Sequence, residues 1–174
     1  LGDVYKRQFL IDGRDANRFD ATNWRRLRGT FAGLVMQDAL VSLDPLRPIG
    51  REVGEVLEHH GLLRGRTAVR QRVLETLARV GMPDPERRIG QYAHQLSGGM
   101  RQRALIAAAI AGLPSLIVAD EPTTALDAAL QKQVIEVLAR RVRDEGSGLL
   151  LISHDLSAVA GIADRVLVMR HGRV

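Results

Sequence analysis

The chain is 174 residues long, 45% hydrophobic and 26% charged, the size and composition of one ordinary globular domain. It has no cysteine, which excludes a disulfide framework, a Cys-based zinc site and an iron–sulfur cluster, and no apolar run approaches the ~20 residues of a membrane-spanning helix. The net charge is +5, but the basic residues, all but two of them Arg, are dispersed from Arg7 to Arg173 among acidic ones, and the aromatics form no stacking repeat, so no nucleic-acid partner is expected.

The first residue is not Met, and no signal-peptide pattern follows it; a cytosolic location is expected. Residues 9–20, FLIDGRDANRFD, predict a short strand, an Asp-Gly turn and a polar exit. The run Phe31 to Met36 predicts a second strand ending at Gln37, before a loop carrying Ser42, Asp44, Pro45 and Pro48. Residues 49–81 then turn helical. Ile49, Val53, Val56 and Leu57 share one face, and Val69, Val73, Leu77 and Val80 share another. Gly61 and Gly81 stand where helix C-caps belong, and Pro83 and Pro85 act as breakers.

From residue 97 the pattern becomes helix, strand, helix, strand. Met100 to Leu113 predicts a helix stopped by Pro114, and Leu116 to Ala119 predicts a strand buried on both faces. Leu126, Leu130, Val134, Val137 and Val142 stripe a long helix ending at Gly146. Leu149 to Ile152 predicts another buried strand, and Val166 to Met169 a third that leads into a His-Gly hairpin turn. Strands alternating with helices imply an α/β fold with a parallel core sheet.

Three segments carry chemistry. Leu96-Ser97-Gly98-Gly99-Met100 opens a helix, where free N–H groups attract anions and two glycines allow close backbone approach. On its own it reads as a plain Ser N-cap after a flexible turn. Leu116-Ile117-Val118-Ala119-Asp120-Glu121 sets two carboxylates at the C-terminal end of a parallel strand, where α/β sheets bind ligands. A carboxylate there suits Mg²⁺, and its neighbour can deprotonate a water. His154 follows the strand LLLIS at the same sheet edge, as a candidate phosphate contact, and Gln37 ends a third apolar run. Taken singly, His154 reads as a structural histidine and Gln37 as nothing.

In this order, Gln37, LSGGMRQR, LIVADEPTTALD and ISHD resemble the ATP-binding cassette (ABC) ATPases over residues 9–174. The resemblance implies an ABC cassette of the P-loop NTPase-like α/β type, with a helical subdomain at about 45–110. It implies ATP and Mg²⁺ as ligands, with Gln37 as the Q-loop glutamine and Asp120 as the magnesium ligand. Glu121 would then be the general base, Asp127 the D-loop aspartate and His154 the switch histidine. Ser97, Gly98 and Gly99 would be the signature that binds ATP held by a second ATPase subunit. Transmembrane permease subunits would be the other partners, holding the protein peripherally on the inner face of the cell membrane. MQDALVSLDP, YAHQLSGGMRQR and ADEPTTALD look most like subunits that energise oligopeptide, dipeptide and nickel importers.

The sequence also departs from that family. The phosphate-binding pattern G-x-x-x-x-G-K-[ST] is absent, since neither Lys6 nor Lys132 follows a Gly. Residues 1–8, LGDVYKRQ, do not resemble the family at this position, and the chain stops at Val174 inside the hairpin. The expectation is therefore a cassette fragment without ATPase activity of its own. Ala39 and Ala93 replace prolines frequent in relatives. A soluble ABC ATPase acting on DNA or ribosomes is the alternative, and a non-catalytic interaction module is a third. The 59 positions from Gln37 to Leu96 leave room for a helical subdomain, not for the long coiled coils of DNA-maintenance members.

Overall fold

The computed structural model describes residues 9–123 and 128–173. Strands β1 (Leu10–Ile11) and β2 (Arg14–Asp15) form the expected hairpin. Its two turn residues, Asp12 and Gly13, both have positive φ, 48° and 74°, as the right-handed twist of a two-residue hairpin requires. Helix α1 (Ala21–Leu27) follows the polar exit, over residues for which the sequence predicted no element. The signal for it is Asp20, whose carboxylate accepts from the Asn23 N–H at 2.7 Å and caps the helix. That bond holds the Asp20 pKa below the ordinary carboxylate value.

Strand β3 (Ala32–Val35), a single turn α2 (Ala39–Ser42), and helices α3 (Ile49–His59) and α4 (Arg66–Arg79) come next. Ile49, Val53 and Leu57 of α3 and Val69, Val73 and Leu77 of α4 are all buried, as their spacing predicts. Gly61 and Gly81 leave the two helices with φ of 61° and 73°. Pro85 does not act as a breaker; it sits in the first turn of the short helix α5 (Pro85–Arg88), where its missing N–H has no partner to lose.

Helix α6 (Gly98–Ile110) starts two residues before the predicted helix and ends three before it, with Leu113 at φ 56° completing the exit. Strand β4 (Leu116–Asp120), helix α7 (Ala128–Glu145), strand β5 (Gly148–Ile152) and helix α8 (Leu156–Ala160) complete the order. The sheet is parallel, in the order β3-β4-β5. Gly33, Ile117 and Leu149 stand in register on one face, and Leu34, Val118 and Leu150 on the other. The first face packs on α6. It comes so close that a Cβ on Gly33 would lie 2.1 Å from the Ala109 carbonyl oxygen.

The opposite face corrects two expectations. β4 alternates between inaccessible Ile117 and Ala119 and half-buried Leu116 and Val118, and β5 between half-buried Leu149 and Leu151 and exposed Leu150 and Ile152; beside them on the outer face Leu34 of β3 is 53% and Leu150 52% exposed. A continuous apolar run cannot distinguish a strand covered on both faces from one covered on one. Val166 to Met169 likewise form no strand, and all four are exposed. The His-Gly turn does form, with His171 and Gly172 at φ 50° and 74° and Arg170 bridging Arg173, but no partner strand lies beside 166–169 among the described residues. In α7 the buried stripe runs through Val134, Leu138 and Ala139, with Val137 at its margin; Leu126 lies outside the described residues.

Candidate functional site

The parallel sheet sets the site. β3, β4 and β5 run the same way, so Gln37, Asp120 with Glu121, and His154 all leave the C-terminal sheet edge within two residues of a strand end. Residues 84 and 33 positions apart in sequence thereby meet. The Gln37 Nε2 donates to Glu121 Oε2 at 3.4 Å, and His154 Nδ1 lies 3.3 Å from Glu121 Oε1. With the proton on Nδ1, the imidazole donates to the carboxylate, leaving Nε2 for another partner. Both bonds are long, as catalytic contacts often are before substrate tightens them. The His154 side chain is 75% exposed and that of Glu121 30%, so the carboxylate is recessed behind an accessible imidazole.

Glu121 is held by its backbone as well. Its N–H donates to the Ile152 carbonyl at 2.9 Å, extending the β4–β5 ladder by one bond. Its φ of 46° lies in the left-handed region, which costs a non-glycine residue about 1 kcal/mol. The following peptides are fixed by two glutamines. Gln102 of α6 donates from Nε2 to the Pro122 carbonyl at 2.8 Å, and Gln131 of α7 donates to the Thr123 carbonyl at 3.3 Å. Sequence reasoning did not single out Gln102. Its signal is a polar residue on the face of α6 that carries the buried Leu105, Ile106 and Ala109.

Ser97 is the N-cap of α6, its hydroxyl accepting from the Met100 N–H at 3.4 Å. Ser97 and Gly98 are exposed, and a Cβ added at Gly98 would meet nothing within 4 Å. The LSGG segment therefore presents an open helix end to solvent. Asp127 lies outside the described residues.

The Asp120 carboxylate and the Gln37 amide oxygen are hard donors at the strand ends, and no group of three or more His, Asp or Glu gathers to hold a metal among the described residues. That donor set fits Mg²⁺, which takes one or two protein ligands and fills its octahedron with water and substrate phosphates. No helix among the described residues is long and apolar enough to cross a membrane.

Known proteins share both the sequence and the fold. The ABC transporter family model matches residues 4–124, a span that begins inside the 1–8 segment set apart above. The chain is 44% identical over 167 residues to the peptidoglycan transport ATP-binding protein YejF of Agrobacterium fabrum, covering 96% of this chain and 30% of that protein. It is 40% identical over 171 residues to the oligopeptide transport ATP-binding protein OppD of Bacillus subtilis, covering 98% and 48%. The chain thus spans half or less of the length of these relatives. Among solved structures it is similar to the ATP-binding cassette MJ0796, a dimer in a post-hydrolysis state bound to ADP and Pi, with TM-score 0.75 and 30% identity over 85% of this chain and 62% of that one. CbiO1 of Clostridium perfringens, part of an ABC transporter complex, aligns with TM-score 0.79 and 25% identity over 95% and 63%. A matched family model over most of the chain, the cassette architecture and the meeting of Gln37, Glu121 and His154 lead to one conclusion: this chain is an ATP-binding cassette of the ABC transporter family.

Proposed function

We propose that the protein is the ATP-hydrolysing subunit of an ABC importer that takes up peptides or similar small solutes. The observation that carries this is the Glu121 carboxylate held between Gln37 and His154 at the sheet edge, beside Asp120. In this reading Glu121 is the general base that takes a proton from the attacking water. His154 orients that carboxylate and, through its other ring nitrogen, faces the γ-phosphate. Gln37 ties the base to the loop after β3. Asp120 and Gln37 would hold Mg²⁺, which when bound offsets the charge of the β- and γ-phosphates. Ser97, Gly98 and Gly99 would meet ATP held by a second cassette, identical or different, and Asp127 would lie at that interface. The relatives named for oligopeptide and peptidoglycan transport support the solute class. Permease subunits, touched by the loop after Gln37 and the helices at 45–110, would place the protein peripherally on the cytoplasmic face of the membrane.

Because the chain carries no G-x-x-x-x-G-K-[ST] segment, hydrolysis is proposed for the transporter assembled with such a loop. The 174 residues alone are expected to show no magnesium-dependent turnover. The test of the proposal is Glu121→Gln in the assembled transporter. Gln keeps the size and hydrogen bonding of Glu but accepts no proton, so kcat should fall about 10²–10⁴-fold while nucleotide-bound dimers accumulate. Turnover within about threefold of wild type would show that Glu121 is not the base.

A further inference from the structure

We propose that Gln102 is a positioning residue: it transmits movement of the LSGG-bearing helix α6 to the base Glu121. This rests on the roles given above to Glu121 and to Ser97–Gly99. Gln102 is 3% exposed, and its amide spans from α6 to the Pro122 carbonyl at 2.8 Å, one residue after Glu121. Pro122 is itself fully buried, and its ring fixes φ, so of the two torsions between the carbonyl that Gln102 grips and the Glu121 peptide only ψ of Pro122 can turn. Glu121 already stands at φ 46° with long side-chain bonds, a geometry in which a small backbone rotation redirects the carboxylate.

The other end of the lever is α6. From Ser97 to Gln102 is about 7.5 Å along one continuous helix, short enough to move as a rod. The residues beside Gln102 bind that rod to the helical part of the protein. Arg101 Nε donates to the Ala93 carbonyl at 2.8 Å, and Arg103 Nη1 to the Gly81 carbonyl at 2.7 Å, at the exit of α4. Three consecutive polar side chains thus leave α6 in different directions: Arg101 to the Ala93 carbonyl, Arg103 to the Gly81 carbonyl and to Gln133 of α7, and Gln102 into the core under the base. Docking of Ser97–Gly99 on a partner's nucleotide would be felt at Glu121 of the same chain, linking the two sites of a dimer.

A merely structural Gln102 would satisfy a buried carbonyl and nothing more. The experiment measures ATPase kinetics of Gln102→Met in the assembled transporter, alone and with Glu121→Gln. Met keeps the length and removes the donor. The expected result is a kcat lower by about 10–100-fold, with KM for ATP within about threefold, since a misplaced group costs rate rather than binding. In the Glu121→Gln background the same change should cost less than about threefold, because its route is already cut. Gln102→Glu supplies a second reading if Gln102→Met does not fold. A neutral carboxyl donates O–H to the Pro122 carbonyl and an ionised one cannot, so the ratio of its kcat to that of wild type should fall as pH rises. A kcat for Gln102→Met within about twofold of wild type, equal losses in both backgrounds, or a ratio independent of pH overturns the proposal. Wild-type turnover in Glu121→Gln alone overturns the base assignment first, and this inference with it.

Discussion

Val53 and Leu77, at the contact of α3 with α4, have almost no exposed surface, whereas Leu34 and Leu150, flanking Val118 on the outer face of the sheet, are more than half exposed. The two regions are built from the same residue types. They differ in what lies opposite: the helices meet each other, while the sheet meets α6 on one face and is uncovered on the other among the described residues. Among the described residues, the candidate site residues read from the sequence lie on the sheet edge or at the exposed start of α6. Stability is therefore concentrated in the helical layer and chemistry at the open boundary, and substitutions should separate the two.

The largest expected effect is Gly98→Asp, which should abolish activity without unfolding the chain. Within the chain a Cβ at Gly98 has open space, and an Asp in the first turn favours the helix dipole by a few tenths of a kcal/mol. Facing a partner's γ-phosphate, the same carboxylate opposes closure by bulk and by charge. ATPase activity of the assembled transporter should drop at least about 10²-fold and ATP-driven dimerisation should vanish in light scattering. The thermal midpoint and ATP affinity of the monomer should barely move. A collapse of monomer affinity with normal dimerisation would place the motif in cis and break the division of labour between the regions.

Leu77→Ala tests the other side. Leu77 is completely buried in the core that joins α4 to α3 and α6, so its truncation should cost about 2–5 kcal/mol by denaturant unfolding. A loss under about 1 kcal/mol would mean the helical layer can collapse around the cavity and is not the stable half. Leu150→Thr is the matched probe on the sheet. It places a β-branched residue on β5 and removes exposed apolar surface, so stability should change by about 0.5 kcal/mol or less while self-association declines. A loss comparable with that of Leu77→Ala would show that this face is covered in solution.

The helices were legible because one-sided burial at a 3.6-residue period writes itself into the sequence: Ile49, Val53 and Leu57, then Val69, Val73 and Leu77, each closed by a glycine at positive φ. The Asp12-Gly13 turn was legible for the same local reason. The outer sheet face was not, because the run LLLI reads the same whether one face or two are covered. Nor was Val166 to Met169, since an apolar run cannot supply its own partner strand. In the site, Gln37, Glu121 and His154 were each weak signals alone; the order of the motifs joined them in the sequence, and parallel strand order joins them in space. Gln102 lies inside LSGGMRQR, but no role was read from it there; its meaning lies in a bond to a carbonyl 20 positions away.

The smallest effect falls on the margin of the helical layer, at Glu52 of α3. Its side chain is only 14% exposed; Oε1 accepts the Asp44 N–H at 3.3 Å, and Oε2 has no hydrogen bond, with Arg47 Nε 3.7 Å away. Burial pushes its pKa above the ordinary carboxylate value, and the Asp44 N–H and Arg47 offset this only in part. The folded chain thus binds this proton more readily than the unfolded one. Its contribution is favourable below the unfolded pKa and is lost as pH rises through the raised folded value, so at neutral pH an ionised Glu52 costs stability. Gln at this position removes the titration and still accepts from Asp44, and Arg47 keeps its 2.8 Å bond to Glu55. Glu52→Gln should therefore be neutral or stabilising by up to about 1 kcal/mol at pH 7, with the gain shrinking as the pH is lowered. Urea midpoints across that range decide it. If Glu52→Gln instead destabilises at pH 7, the Arg47–Glu52 attraction outweighs the burial of the charge, and even the margin of the helical layer is held by its ion pairs.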